Sequence, residues 1–217
     1  MASKRHDVGT ESVPKKDKTL ICIPAMSQMP TAFVISLVKL LNKKRTAVTV
    51  VTNSLVYDAR NEMAQRAIDL GYDRVLWIDS DMTFDDDIIE RLGKHLDEGK
   101  EYVTALAFNR SKPMRPCIWT AKEQQLVIYY DYPEDSLFEV AASGLAACMM
   151  TTDVLKRVMD AYGNPFTPVN GNGEDISFCF RAMSLGVDLW CDSSVKVGHL
   201  GYVEFDESVY KGLRDAE

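Results

Sequence analysis

An apolar run, Val75-Leu76-Trp77-Ile78, stops abruptly at Asp79-Ser80-Asp81. Four consecutive apolar residues read as a strand buried on both faces, the kind found in parallel sheets covered by helices. The two acids then stand at its carboxyl end, where open α/β sheets bind ligands. Alternate residues of an extended segment share a side, so Asp79 and Asp81 can converge on one divalent cation. Taken alone, the same residues also fit an acidic loop after a core strand.

The surrounding sequence repeats a strand–helix grammar. Residues 19–23 read as a first buried strand ended by Pro24, and residues 47–52 as a β-branched second strand. Between them a helix is expected over 31–42, with Phe33, Val34, Leu37, Val38 and Leu41 as its apolar stripe. A second helix spans about 58–70 and is stopped by Gly71. Thr83 with Asp85, Asp86 and Asp87 opens a third, acids at the positive end of its dipole, with Ile88, Ile89, Leu92 and Leu96 facing inward. Residues 102–108 form a fourth strand. Three such alternations predict a mostly parallel central sheet with helices on both faces.

After Asn109 the pattern changes to short strand-like pieces at 117–120, 125–130 and 138–141, expected to be antiparallel. Residues 146–151 return to the main sheet, and a helix follows from Thr152, read as its N-cap, to about 161. A loop rich in Gly, Asn and Pro over 162–173 leads into a helix over 174–185, whose inward face is expected to be Ile176, Cys179, Phe180 and Met183. The chain is therefore read as a polar, mobile tail (1–18) and one domain (19–217). Within that domain, 19–108 is a nucleotide-binding half and 109–204 an acceptor and catalytic half.

Composition narrows the function classes. Across 217 residues, 46% are hydrophobic and 26% charged, ordinary for a globular domain with an ample core. A net charge of −7 argues against broad nucleic-acid or anionic-membrane binding. The apolar runs are too short for a membrane span, and the first residues lack a signal core. The five cysteines are scattered, without zinc or redox spacing, and read as reduced core residues of a cytoplasmic protein.

Four further groups of residues carry chemistry. Gly171-Asn172-Gly173-Glu174-Asp175 puts two acids in the first turn of a helix after a long glycine-rich loop; dipole compensation explains such acids, but loops of this length tend to be functional. His199, bracketed by Gly198 and Gly201 in Gly198-His199-Leu200-Gly201, sits where backbone can approach a ligand, and imidazole with carboxylates suits Mn²⁺. Arg60, after Asn53 and at the start of the second helix, can meet a nucleotide or pair with Asp58 or Glu62. Ser143 and Gly144 lie in a run of small residues that is either tight packing or space for a sugar ring.

In this order, the motifs resemble the GT-A fold glycosyltransferases, in particular the family-2-like group, over about 20–201. The resemblance implies a GT-A fold and a metal-dependent, non-processive transfer of one sugar from a nucleoside-diphosphate sugar to a glycan or other hydroxyl-bearing acceptor. It implies that Asp79, Ser80 and Asp81 form the DxD motif, with Asp79, Asp81 and His199 holding Mn²⁺ or Mg²⁺. It further implies Asp175 as general base with Glu174 beside it, Pro24, Asn53 and Arg60 along the nucleotide, and Ser143 and Gly144 along the donor sugar. No QxxRW segment follows the Glu-Asp helix, which speaks against a processive synthase. Two alternatives stand beside this reading. Asp79-Ser80-Asp81-Met82-Thr83 also satisfies the DxDxT motif of HAD-like phosphatases, with Asp79 as nucleophile. A GT-A-like domain that binds a nucleotide sugar or glycan without turnover would use the same fold.

Overall fold

The structure is a computed structural model and describes residues 4–8, 18–44, 46–123 and 125–201. Its first half contains β1 (Lys4–Val8), β2 (Thr19–Ala25), α1 (Thr31–Lys43), β3 (Ala47–Thr52), α2 (Val56–Asp69), β4 (Arg74–Ile78), β5 (Met82–Thr83), α3 (Ile88–Asp97) and β6 (Tyr102–Leu106), the predicted strand–helix alternation with β1 and β5 added. The second half contributes β7 (Ile118–Lys122), β8 (Gln125–Ile128), β9 (Leu137–Val140), β10 (Ala142–Ser143), β11 (Ala147–Thr151), α4 (Thr152–Tyr162), α5 (Glu174–Ser184), β12 (Leu189–Lys196) and β13 (Gly198–His199). Within the segment expected as a tail, β1 pairs antiparallel with β3. The rest of 1–18 except Lys18, and the segment 202–217, lie outside the described residues.

Eight strands form one sheet in the order β1-β3-β2-β4-β11-β6-β12-β9. Strands β3, β2, β4, β6 and β12 run one way, while β11 runs against both of its neighbours, β4 and β6. The two halves of the chain are therefore interleaved, because β11, β12 and β9 complete the sheet that the first half begins. Strand β2 continues through Pro24 to Ala25 instead of ending at the proline; its pairing with β4 stops at Cys22, and β3 alone accompanies it further. A separate three-stranded sheet, β10-β7-β8, carries two of the three expected antiparallel pieces, while the third, β9, joins the main sheet antiparallel to β12.

The strands alternate which core they feed. Cys22, Trp77, Cys148 and Met150 pack with α2, α4 and α5 through Met63, Leu155 and Phe178. Ile21, Leu76, Ile78 and Met149 face α1 and α3 through Phe33, Leu40 and Leu92. Burial on both sides explains why these strands read as unbroken apolar runs. Four of the cysteines are buried, Cys117 is partly so, and all five are free thiols.

Two helices are rotated from their expected faces. On α1 the buried residues are Phe33, Ser36 and Leu40, while Val34 and Val38 are 41% and 49% exposed. Ser36 holds a core position because its Oγ accepts the backbone N–H of Phe84 (3.2 Å). On α5 the buried set is Ser177, Phe178, Cys179, Arg181 and Ala182, leaving Phe180 and Met183 exposed. Both buried polar residues bind the preceding loop: Ser177 Oγ accepts from Val169 N–H (3.0 Å), and Arg181 Nη1 donates to the Pro165 carbonyl (2.7 Å). A buried polar group with a partner costs little, so it can displace an apolar side chain. The N-cap of α4 is Thr151, one residue before the expected Thr152; Thr152 Oγ1 instead bonds the Tyr72 carbonyl.

His95 ties α3 to β12. Its Nε2 lies 2.8 Å from Asp192 Oδ2, and Asp192 Oδ1 also accepts the Ser194 N–H (2.9 Å) and hydroxyl (2.5 Å). Burial works against the Asp192 charge, yet the bonds from Ser194 and His95 outweigh it and hold the carboxyl below its ordinary range. A depressed folded-state pKa adds stability above the ordinary carboxylate range, and that stability is lost as pH falls through the depressed value. Asp192→Asn is expected to lower stability at pH 7 by about 1.5–3 kcal/mol, the range for hydrogen bonds to a charged group. Urea melts of both proteins should show this gap narrowing below about pH 4.

Candidate functional site

The carboxyl ends of β2, β3 and β4 open into a cleft of about 260 Å³. Its lining includes Pro24, Arg60, Asp79, Ser80, Asp81 and Glu174, together with Arg110 and His199. The fold thus gathers seven of the sequence-predicted residues on one surface, drawn from β2, α2, the end of β4, α5 and β13.

Arg60 organises the inner wall. Its side chain is 2% exposed, and Nη2 donates to Asp79 Oδ1 at 2.7 Å. Its Nε lies 3.4 Å from Glu174 Oε1, and the guanidinium sits over the Trp77 ring with its carbon 5.5 Å from the centroid. The local alternatives, Asp58 and Glu62, give way to these distant acids because Arg60 faces the sheet rather than solvent. Nη1 is buried and has no hydrogen-bond partner among the described residues. A buried donor without a partner adds to the cost of burying this charge, which the two acids and the Trp77 ring offset.

Asp79 and Asp81 leave the strand with different partners. Burial, the largest influence, pushes the Asp79 carboxyl above its ordinary range against the pull of Arg60. For Asp81 burial acts in the same direction but loses to His199 and Arg110, so its carboxyl is held low. Asp81 Oδ2 pairs with Arg110 Nη1 at 2.9 Å, and Oδ1 lies 3.5 Å from His199 Nε2.

His199 reaches Asp81 through a device too short for sequence periodicity. After the acids the chain forms the two-residue strand β5, which pairs antiparallel with β13: Gly198 opposite Thr83, His199 opposite Met82. Leu200 N–H then bonds the Asp81 carbonyl (2.8 Å). Gly198 permits this closeness, since a Cβ there would stand 2.4 Å from Thr83 Oγ1. His199 Nδ1 is 2.8 Å from the Phe108 carbonyl oxygen. A carbonyl only accepts, so Nδ1 carries the hydrogen and neutral His199 presents the Nε2 lone pair toward Asp81. In the structure as it stands, the facing Asp81 carboxylate raises the imidazole pKa above its ordinary value.

Among the described residues no group of three His, Cys, Asp or Glu side chains converges as a metal site. Asp81 and His199 do offer an oxygen and a nitrogen suited to a divalent transition cation, with the imidazole oriented by a backbone carbonyl. Such a pair fits an ion whose remaining ligands come from a bound diphosphate and water. Asp79, also in the lining, meets Arg60 through Oδ1.

The remaining predicted residues fall outside the lining. Asp175 stands beside Glu174 at the start of α5, its Oδ1 accepting the Ile176 N–H (2.7 Å). Burial pushes its carboxyl above the ordinary range and outweighs that bond, where a helix N-terminus alone would favour the charged form. Its Oδ2 is 3.7 Å from where a Cβ on Gly144 would stand, so Gly144 leaves room beside this acid. Ser143 is fully buried, its Oγ 2.7 Å from the Tyr102 hydroxyl. Asn53 forms the turn after β3 with φ 57°, a left-handed conformation that Asn tolerates, and its neighbour Ser54 lines the cleft. Arg110 is the residue that sequence reasoning missed, since a lone basic residue in a loop carries no pattern.

No protein-family model and no curated protein matches the sequence. Among solved structures, A197 from STIV superposes with a TM-score of 0.63 at 18% identity, over 85% of this chain and 86% of that one. GalNAc-T7 with UDP, GalNAc and Mn²⁺ superposes with a TM-score of 0.60 at 11% identity, over 86% of this chain. The match covers 44% of that protein, so this chain spans less than half its length. These likenesses support a GT-A-like fold, a mixed α/β domain with a mostly parallel central sheet. Among the described residues no helix is long and apolar enough to cross a membrane.

Removing the Arg60 guanidinium leaves Asp79 and Glu174 facing each other without a cation. Arg60→Met is expected to lower stability by about 3 kcal/mol at pH 7, the lower end for breaking a buried pair. A carboxyl whose folded-state pKa lies above its unfolded value gains relative stability as it is protonated. The deficit should therefore shrink between pH 7 and pH 5 as Asp79, already raised and now unopposed, takes up a proton. Urea midpoints of the variant and the wild type at the two pH values measure this.

Proposed function

We propose that this protein is a metal-dependent, non-processive glycosyltransferase that moves one sugar from a nucleoside-diphosphate sugar to an acceptor hydroxyl. The observation that carries the reading is the cleft at the carboxyl ends of three parallel strands, where Asp79, Asp81, Arg60, Glu174 and His199 meet within a GT-A-like fold. The printed description of GalNAc-T7 names UDP, GalNAc and Mn²⁺ for that protein, and the same classes of ligand suit this cleft.

In this reading Asp81 and His199 hold Mn²⁺ or Mg²⁺. When bound, the cation supplies positive charge that offsets the charge developing on the diphosphate as the glycosidic bond breaks. Arg60 forms part of the cleft wall beside the nucleotide, and its Nη2 keeps Asp79 in place. Pro24, Ser54 and Ser80 border the nucleotide. Asp175 takes the proton of the acceptor hydroxyl as it attacks the anomeric carbon. Its raised pKa brings it nearer neutrality, which makes it a stronger base than an exposed carboxylate. Glu174, fixed by Arg60, holds the first turn of α5 and so sets the position of Asp175.

The test is to incubate the protein with Mn²⁺ and UDP-, GDP-, dTDP- and CMP-sugars while following release of free nucleotide. One donor should be hydrolysed slowly, and EDTA or Asp81→Ala should abolish this. Once an acceptor is found, Asp175→Asn should slow transfer by about 10²-fold or more, the usual contribution of a positioned general base. Cleavage of p-nitrophenyl phosphate with no donor turnover would move the assignment to a phosphatase. Donor binding without release from any sugar, acceptor included, would leave a binding domain.

A further inference from the structure

Arg110 stands in a loop and belongs to no sequence motif, yet its side chain lines the cleft. It lies four residues beyond the end of β6, and its side chain is 47% exposed. Its Nη1 pairs with Asp81 Oδ2 at 2.9 Å and donates to the Leu200 carbonyl at 3.1 Å. Leu200 is in turn bonded through its N–H to the Asp81 carbonyl. The alkyl chain of Arg110 passes against Gly201, where an added Cβ would stand 3.2 Å from Arg110 Cδ. The guanidinium thus rests on the carboxylate that the proposed function gives to the cation, next to the imidazole that completes the pair.

A full positive charge at this position opposes a divalent ion. An Arg–carboxylate pair this exposed is nevertheless weak, so a stronger anion can draw the side chain away. Arginine has five N–H donors in a planar fork that matches phosphate oxygens. Resting on the proposed donor reading, the geometry points to Arg110 as an exchangeable counter-ion: it occupies Asp81 while the cleft is empty and transfers to the donor diphosphate when that arrives. Asp81 is thereby released to the cation, so metal and diphosphate bind as a coupled pair. The exchange makes and breaks ion pairs only, with no covalent step.

The experiment measures binding rather than turnover. Mn²⁺ alone is titrated into wild type, Arg110→Ala and Arg110→Lys, with the free ion followed by electron paramagnetic resonance. UDP, the first probe, is then titrated by calorimetry at saturating Mn²⁺, with GDP, dTDP and UMP in parallel. Arg110→Ala is expected to bind Mn²⁺ alone about tenfold more tightly, the effect of removing a unit charge a few ångströms from a divalent ion. It should bind the diphosphate about tenfold more weakly, the loss of one charge-assisted contact, and UMP with little change. Arg110→Lys should fall between, and the double variant Asp81→Asn with Arg110→Ala should lose the Mn²⁺ gain. Unchanged or weaker Mn²⁺ binding by Arg110→Ala, with diphosphate affinity intact, overturns the inference and leaves the donor reading standing. If Mn²⁺ binding tightens but no nucleoside diphosphate binds any of the proteins, the donor reading fails and the transfer to diphosphate fails with it.

Discussion

A single buried cation fixes the geometry of the cleft. The Arg60 guanidinium is inaccessible to solvent on almost every side, and the cost of burying its permanent charge is offset because Asp79 and Glu174 face it and Trp77 lies beneath it. Those partners come from the end of β4 and the first turn of α5, while Arg60 itself stands on α2. Three elements far apart in sequence are held to one point by the cost of leaving that charge unpaired. Trp77 extends the constraint: Phe166 packs on it edge-on at 5.1 Å and stacks on Phe178 of α5 at 4.8 Å. Phe166 N–H also bonds Asn61 Oδ1, next to Arg60. The loop before α5 is therefore anchored to α2 and to β4, and it delivers Glu174 and Asp175 in a set position rather than as a free segment.

The reversal at β11 explains how this is possible topologically. A doubly wound sheet that kept alternating would carry the chain steadily away from β4. Here β11 returns antiparallel between β4 and β6, with Ala147 opposite Ile78 and Cys148 opposite Trp77. The helices that follow, α4 and α5, pack into the same core as α2. The amino end of α5 consequently reaches the strand end that carries the acids. The pair β5–β13 makes the matching closure from the other side and sets His199 against Asp81.

What the sequence makes legible follows from how local each feature is. Strands β2, β3 and β4 and the helices between them follow from unbroken apolar runs and from Gly71, because burial on both faces leaves a continuous signature. The facing of α1 does not, since Val34, Ile35, Leu37, Val38, Leu40 and Leu41 supply several overlapping stripes. Which of them is buried depends on Ser36 finding the Phe84 N–H, 48 residues on. The site divides in the same way. Asp79, Asp81, Glu174, Asp175 and His199 announce themselves by type and by flanking glycines. The place of Arg60 is decided by partners 19 and 114 residues away, and that of His95 by an acid 97 residues away. Ser143 illustrates the opposite ambiguity: a run of small residues reads equally as pocket or as packing, and the Tyr102 hydroxyl places Ser143 in the core.

Charge, independently of any likeness to other folds, bears on what the cleft can hold. Asp79, Asp81 and Glu174 line it, and Asp175 stands behind them, so four carboxylates oppose the guanidiniums of Arg60 and Arg110 and the imidazole of His199. Arg60 is engaged by Asp79 and Glu174, and Arg110 and His199 by Asp81, so each positive group is already matched by an acid. A diphosphate entering such a cleft adds negative charge where no surplus of positive charge awaits it, and partial burial strengthens the repulsion. Two changes relieve this. A divalent cation brought in with the diphosphate would take the place of Arg110 on Asp81, and the guanidinium released from Asp81 would meet the phosphate oxygens. Each change makes the other more favourable, because the cation needs the carboxylate that the arginine leaves and the arginine needs the anion that the cation accompanies. A cleft balanced in this way is poorly suited to either ligand alone and well suited to the two together.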